Sequence, residues 1–280
     1  SAVNRDWQDP NLDSSRTGFR CVRAVVPETP ASQTATPEPL PAAIKDDKGV
    51  DMVLVPAGEF TMGSDRGTED SKPSYNIYLD TFYIDKYEIT NALYQACQEA
   101  GICQPPQNTG SSTHSLYYGQ SQFDNYPVVY VDWFTAGAYC EWRDARLPTE
   151  AEWEKAARGT DGREYAWGSG YTDSGDMCKK ANYLPCKGDT RPVGSYEEGK
   201  SVYGIYDLTG NVYEWTSSVF MGYPYNADDG REKALSTDNR VYRGGSFGNQ
   251  YFELMVYDRW KQNPNNGSEY LGFRCAKSAP

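Results

Sequence analysis

The chain has 280 residues and a net charge of −12 at pH 7, with 39 acidic side chains, 27 basic ones and one histidine. A pI near 4.7 opposes binding to a phosphate backbone or an anionic membrane, and a mean hydropathy of −0.75, with no run of about eighteen apolar residues, excludes a spanning helix. Only 38% of residues are hydrophobic, yet 23 Tyr, 9 Phe and 7 Trp give core and surface an aromatic character, as in a loop-rich fold.

The N-terminal stretch repeats the C-terminal one. Arg5, Gln8, Pro10, Asn11, Ser14, Gly18, Phe19, Arg20 and Cys21 recur as the same residue types at a constant offset of 275 − 21 = 254 positions, ending at Cys275. A fixed-period repeat of this kind points to tandem domains, so residues 1–23 read as the C-terminal remnant of a preceding copy. Residues 24–47 carry Pro27, Pro30, Pro37, Pro39 and Pro41 among Thr, Ser and Ala, which is the composition of an extended linker. The main domain is placed at 48–280.

Within it, 52–57 and 82–87 are β-branched or aromatic runs bounded by Gly and Asp, as strands are. Helical spacing appears at 90–100 and 133–143, and Thr149-Glu150-Ala151-Glu152 is a capping box opening a helix to about residue 158. The stretches 104–126 and 159–182 have no clear period and read as long loops that carry function or need a staple. Cys97 lies close to Cys103 and Cys178 close to Cys186; with only one histidine present, disulfides formed in an oxidising compartment are favoured over zinc. That histidine, His114, reads as a solvated loop residue.

Five long motifs then become specific: 52–63 (MVLVPAGEFTMG), 82–94 (FYIDKYEITNALY), 127–158 (PVVYVDWFTAGAYCEWRDARLPTEAEWEKAAR), 192–215 (PVGSYEEGKSVYGIYDLTGNVYEW) and 241–275, from VYRGGSF to LGFRC. In this order they resemble the formylglycine-generating enzyme, or sulfatase-modifying factor, family. The resemblance implies an α+β fold, a variant of the C-type lectin fold with little regular secondary structure, and a bridge between Cys140 and Cys275 that leaves Cys21 odd. Enzymes of this family hold copper with two cysteines between the RGGS and GFRC motifs, soft thiolates that suit Cu(I). Here that segment, 248–271 (GNQYFELMVYDRWKQNPNNGSEYL), contains no cysteine, and one histidine cannot build the cluster of the related iron-dependent sulfoxide synthases. Neither copper nor iron is expected, and no catalytic residue is assigned.

The resemblance also implies calcium, a hard cation that takes oxygen ligands. One site would use the side chains of Asp207 and Glu214 and the carbonyls of Gly210 and Val212. A second would use Asn182, the Tyr183 carbonyl, Asp189 and the Arg191 carbonyl, on a loop shorter than that of the enzymes. The alternative at either place is a turn held by Asx hydrogen bonds.

The expected function is a non-enzymatic extracellular binding module with Gln250, Tyr251, Phe252, Tyr257 and Trp260 as its aromatic face, joined by Tyr117, Tyr118 and Tyr126 as weaker candidates. One alternative is a structural subunit of a bacterial cell-surface assembly or filament. A second, disfavoured, is a reduced oxidase chemistry around Arg243-Gly244-Gly245-Ser246. Expected partners are a protein or glycan at the cell surface, or further copies of the chain, with no nucleic acid and no membrane insertion.

Overall fold

A computed structural model describes residues 39–280 apart from Thr172 and Ala234, so the N-terminal remnant and most of the linker lie outside the described residues. The last linker residues belong to the domain: its compact unit starts at Pro41 and its first strand, β1 (Ala43–Lys45), pairs antiparallel with β2 (Asp51–Val55). The turn between them is built by Asp46, whose Oδ1 accepts from the amides of Lys48 and Val50 while Oδ2 accepts from Arg143 Nε at 2.6 Å. Asp46 therefore anchors residues whose composition alone reads as spacer.

Three sheets follow. The first has the order β1-β2-β5-β10, where β5 is Phe82–Asp85 and β10 is Ala276–Ser278, all antiparallel. The second is a hairpin of β3 (Gly58–Met62) and β4 (Tyr75–Leu79). The third has the order β8-β7-β6-β9, with β6 (Tyr213–Val219) central, β7 (Arg240–Arg243) antiparallel to it and to β8 (Trp260–Gln262), and β9 (Leu271–Phe273) parallel to β6. Parallel pairing of β6 with β9 requires a long crossover. Residues 220–270 supply it, passing through β7 and β8, and the candidate site lies on the part of this crossover after β7, 244–270.

The helices start where their caps place them. Thr90 accepts from the Leu93 amide ahead of α1 (Asn91–Glu99), Asp132 from the Thr135 amide ahead of α2 (Trp133–Trp142), and Thr149 and Glu152 exchange both bonds of a capping box ahead of α3 (Glu150–Arg158). Among the described residues, the helical pieces in the long loops are a 3-10 turn at Ser121–Phe123 and the short helix α4 (Ser174–Met177).

Three disulfides join Cys97 to Cys103, Cys140 to Cys275 and Cys178 to Cys186, with Cα separations of 5.4, 5.6 and 5.7 Å. The Cys140–Cys275 bridge ties α2 to the end of the chain inside the largest core cluster, among Tyr94, Tyr139, Trp215 and Phe273. Trp153 of α3 packs in a second cluster with Val55, Phe82 and Ile84 from the first sheet. Among the described residues, no helix is long and apolar enough to cross a membrane.

Candidate functional site

The crossover is fixed by buried charge. Arg243, at the end of β7, donates from Nη1 to the carbonyls of Val256 and Asp258 at 3.0 and 2.7 Å, and from Nη2 to Glu154 of α3. Arg259 forks onto Glu150 of α3 with bonds of 2.7 and 2.6 Å. Bidentate geometry of this kind holds direction as well as position. Because α3 carries these acids on its packed face, residues 256–259 are strapped to it. Gly244 and Gly245 then turn the chain through positive φ of 99° and 74°, and a Cβ at Gly244 would meet the Trp153 ring at 3.0 Å. The RGGS motif thus positions the crossover.

On the outer side of that strap, a 3-10 turn at Tyr251–Glu253 presents aromatic rings. The Gln250 amide donates to Glu253 at 2.8 Å, which closes the turn. Tyr251 stacks on Tyr171 with centroids 4.1 Å apart and meets Phe252 edge-on at 5.4 Å. Phe252 is 55% and Tyr171 43% exposed, and Gln250 is also at the surface. Behind them Tyr165 donates its hydroxyl to the Tyr251 carbonyl at 3.2 Å, and the Cys178–Cys186 staple holds the neighbouring loop, whose Leu184 amide bonds the Asn249 carbonyl.

The five aromatic-face candidates do not form one surface. Gln250, Tyr251 and Phe252 come together; Tyr257 is only 2% exposed, with its hydroxyl on Met255 Sδ and its ring under the Arg158 guanidinium. Trp260 stands on β8 opposite Tyr242, with its ring 6.3 Å from Tyr213. The reason is the strap: Arg243 and Arg259 turn residues 256–259 inward, so the ring at 257 is covered by its neighbours and adds almost nothing to the outer surface. Tyr117 is likewise a core residue, bonded to the Pro127 carbonyl and packed on Phe123, while Tyr118 bonds Gln98 beside α1. Tyr126 packs edge-on against Phe123.

Next to Phe252 lies a groove of about 300 Å³ lined by Arg66, Gly67, Thr68, Phe252, Met255, Tyr257 and Asp258. Asp258 was not among the sequence candidates; an acid between Tyr257 and Arg259, in a stretch that also holds Tyr251, Phe252 and Trp260, was the available signal. Burial pushes its carboxyl up to about 7, against the partly compensating charge of Arg243.

The residues nominated for calcium cluster around the turn 207–214. Asp207, Gly210 and Asn211 all have left-handed backbone, with φ of 58°, 79° and 62°, which is strained for the two non-glycine residues. Asp207 and Glu214 are buried with Glu88, and Arg274 is the guanidinium paired among them, chelating Glu214 with two bonds of 2.6 Å. Burial raises the Asp207 carboxyl to about 6, offset in part by the Gly194 amide that donates to its Oδ2 at 2.7 Å. Glu88 is raised by burial and then by the charges of Asp207 and Glu214.

Glu214 is therefore an ion-pair partner of Arg274 and an acceptor for Trp153 Nε1 at 2.8 Å. Asn182 donates to Asn211 Oδ1 and to the Asp189 carbonyl, and its own Oδ1 is buried without a donor. The Asp189 carboxylate is engaged elsewhere: Oδ2 accepts from Ser111, from the Thr113 amide and hydroxyl, and lies 3.2 Å from His114 Nδ1. His114 is thus a partner of Asp189 rather than a purely solvated residue. Among the described residues, no group of three or more His, Cys, Asp or Glu side chains is arranged to hold a metal.

Comparison with known proteins places the fold. Residues 38–279 match the family described as the sulfatase-modifying factor enzyme 1-like domain. The formylglycine-generating enzyme of Streptomyces coelicolor is 32% identical over 89% of this chain and 95% of its own length, and the inactive C-alpha-formylglycine-generating enzyme 2 of mouse is 31% identical over 81% and 86%. The serine/threonine-protein kinase Pkn1 of Chlamydia trachomatis is 32% identical over 81% of this chain, which spans only 38% of that protein. Among solved structures, PvdO from Pseudomonas aeruginosa superposes with a TM-score of 0.71 at 25% identity, covering 86% of this chain and 100% of PvdO. Treponema denticola variable protein 1 superposes at 0.68 with 23% identity over the same shares. The chain belongs to the sulfatase-modifying factor, or formylglycine-generating enzyme, family and has its variant of the C-type lectin fold.

Proposed function

We propose that this chain is a non-enzymatic recognition module working outside the reducing cytoplasm, with Tyr171, Tyr251 and Phe252 as its contact surface. The carrying observation is the ring set that Tyr251 and the exposed Phe252 form with Tyr171 of the 159–182 loop, the first two lying in the segment where the enzymes of the family place their copper-binding cysteines and this chain has none. Large rigid aromatics supply contact area at low entropic cost, and the three disulfides suit an oxidising compartment. The inactive mammalian relative supports a member of this family without the oxidase reaction.

Calcium belongs to the same reading as a structural ion at the 207–214 turn. Three buried carboxylates, Glu88, Asp207 and Glu214, with one guanidinium among them leave an excess of negative charge, which a divalent cation would balance at oxygen donors including Asp207. Asn182 Oδ1, buried without a donor, is the oxygen that fits the second site, whereas Asp189 is committed to the loop 111–114.

The test is capture from the native cell-envelope or extracellular fraction, together with a glycan array, using the wild-type chain and a Tyr251→Ala/Phe252→Ala variant. A protein or glycan bound by the first and lost by the second is the expected result. Identical profiles for both would remove this surface from the function. Capture only of further copies of the chain would move the assignment to self-assembly.

A further inference from the structure

We propose that the groove between residues 66–68 and 252–258 is a binding site for an organic ammonium group, with Asp258 as its counter-ion and Tyr257, Phe252 and Met255 as its walls. The proposal deepens the reading of the Tyr251–Phe252 surface, because Phe252 is shared by both.

The first observation is an acid left alone. Asp258 is only 8% exposed, its amide and carbonyl are bonded to Met255 and Arg243, and its carboxylate has no hydrogen-bond or ion-pair partner among the described residues. Carboxylates this deep are ordinarily paired, and since the Asp258 oxygens are not among the fully enclosed unpartnered atoms, they open onto the groove that the residue lines. The nearest cation cannot serve. Arg243 Nη2 is held by Glu154 and Tyr223 and its Nη1 by two carbonyls, one of them that of Asp258 itself.

The second observation is the character of the surroundings. Glu154 and Glu253 add negative charge at Asp258, and Glu164 lies near the rim, where the largely exposed Arg66 pairs with it at 3.2 Å. An anionic ligand is excluded by that field. A hard metal ion would want six to eight oxygens, whereas beside Asp258 the lining offers the Phe252 and Tyr257 rings, the Met255 thioether and one hydroxyl residue, Thr68, with Arg66 turned to Glu164. Rings and polarisable sulfur beside a single carboxylate favour a positive nitrogen carried on an alkyl stem. A groove of about 300 Å³ accepts one such side chain or a small amine. Gly67 lets the 66–68 segment pack closely on Tyr257, because a Cβ there would meet Ser71 Cβ at 2.9 Å and the Tyr257 ring at 3.1 Å.

The ammonium could come from a lysine of a partner protein or from a free small molecule, and the probes separate these. The ¹⁵N-labelled chain and its Asp258→Asn variant are titrated by NMR with N-acetyl-lysine methylamide, with choline, and with N-acetyl-norleucine methylamide, the uncharged near-isostere of the first. Expected are saturable shifts at residues 66–68 and 252–258 with an ammonium probe, at least tenfold weaker binding in Asp258→Asn, and no comparable response to norleucine. Tighter binding of the lysine probe assigns the site to a partner's lysine, and tighter binding of choline assigns it to a small ammonium.

Absence of shifts at these residues with both ammonium probes, unchanged affinity in Asp258→Asn, or equal binding of norleucine would overturn the proposal. Asp258→Asn is expected to melt no lower than wild type, since it removes an unpaired buried charge; a lower melting temperature would mark Asp258 as a structural residue. If this experiment fails while the Tyr251→Ala/Phe252→Ala variant still loses its partner, only the ammonium assignment falls.

Discussion

Removing the Cys140–Cys275 bridge tests how this loop-rich fold is stabilised. The two cysteines are 135 residues apart, against 6 for Cys97 and Cys103 and 8 for Cys178 and Cys186. In the chain-entropy model a cross-link closing 135 residues contributes about 5 kcal/mol at 25 °C, and the two short links about 2 and 2.5 kcal/mol. Cys97 and Cys103 are core residues like Cys140 and Cys275, so double alanine variants of these two pairs lose similar buried sulfur. Their difference, about 3 kcal/mol, then reads mainly the constraint on the unfolded chain. For a unit of this size that corresponds to roughly 6 to 12 °C between the two variants' melting temperatures. Calorimetry and urea midpoints on both variants, under identical conditions, measure it. Equal losses, or a larger loss for the short loop, would refute the entropic account and leave local packing as what the bridge supplies.

Chelation by EDTA should lower the melting temperature if the 207–214 turn holds calcium. At a free calcium level a hundredfold above Kd the loss is about 2.7 kcal/mol, several degrees by calorimetry, and an unchanged curve removes calcium from this account. Ammonium binding at the groove should weaken as pH falls below about 7, because protonation neutralises Asp258, with Arg243, Glu154 and Glu253 setting that midpoint; a flat titration from pH 6 to 8 would contradict it. The stability sign is opposite. Since the folded carboxyl lies above its ordinary value of 3.8, its contribution is fully present below that value and is lost as pH rises through about 7, a slope that Asp258→Asn should remove.

Much of this was legible in the sequence because it is local. Thr149 and Glu152 announce α3, and Thr90 and Asp132 cap the helices read at 90–100 and 133–143. The short cysteine spacings, the order of the five motifs and the absence of cysteine in 248–271 belong to the chain alone and brought the family into view.

What the tertiary structure decided is which side each ring faces. Residues 250–260 carry no period from which Tyr251 and Phe252 could be told apart from Tyr257; that distinction comes from Arg243 and Arg259 binding acids on α3 that are 89 and 109 residues away in the chain. The same long-range pairing leaves the Asp258 carboxylate without a partner among the described residues, joins Glu214 to Arg274, and brings Asp189 to the loop at 111–114. Ion pairs between distant segments depend on where the fold brings the partners, and side-chain type specifies only that a partner is needed.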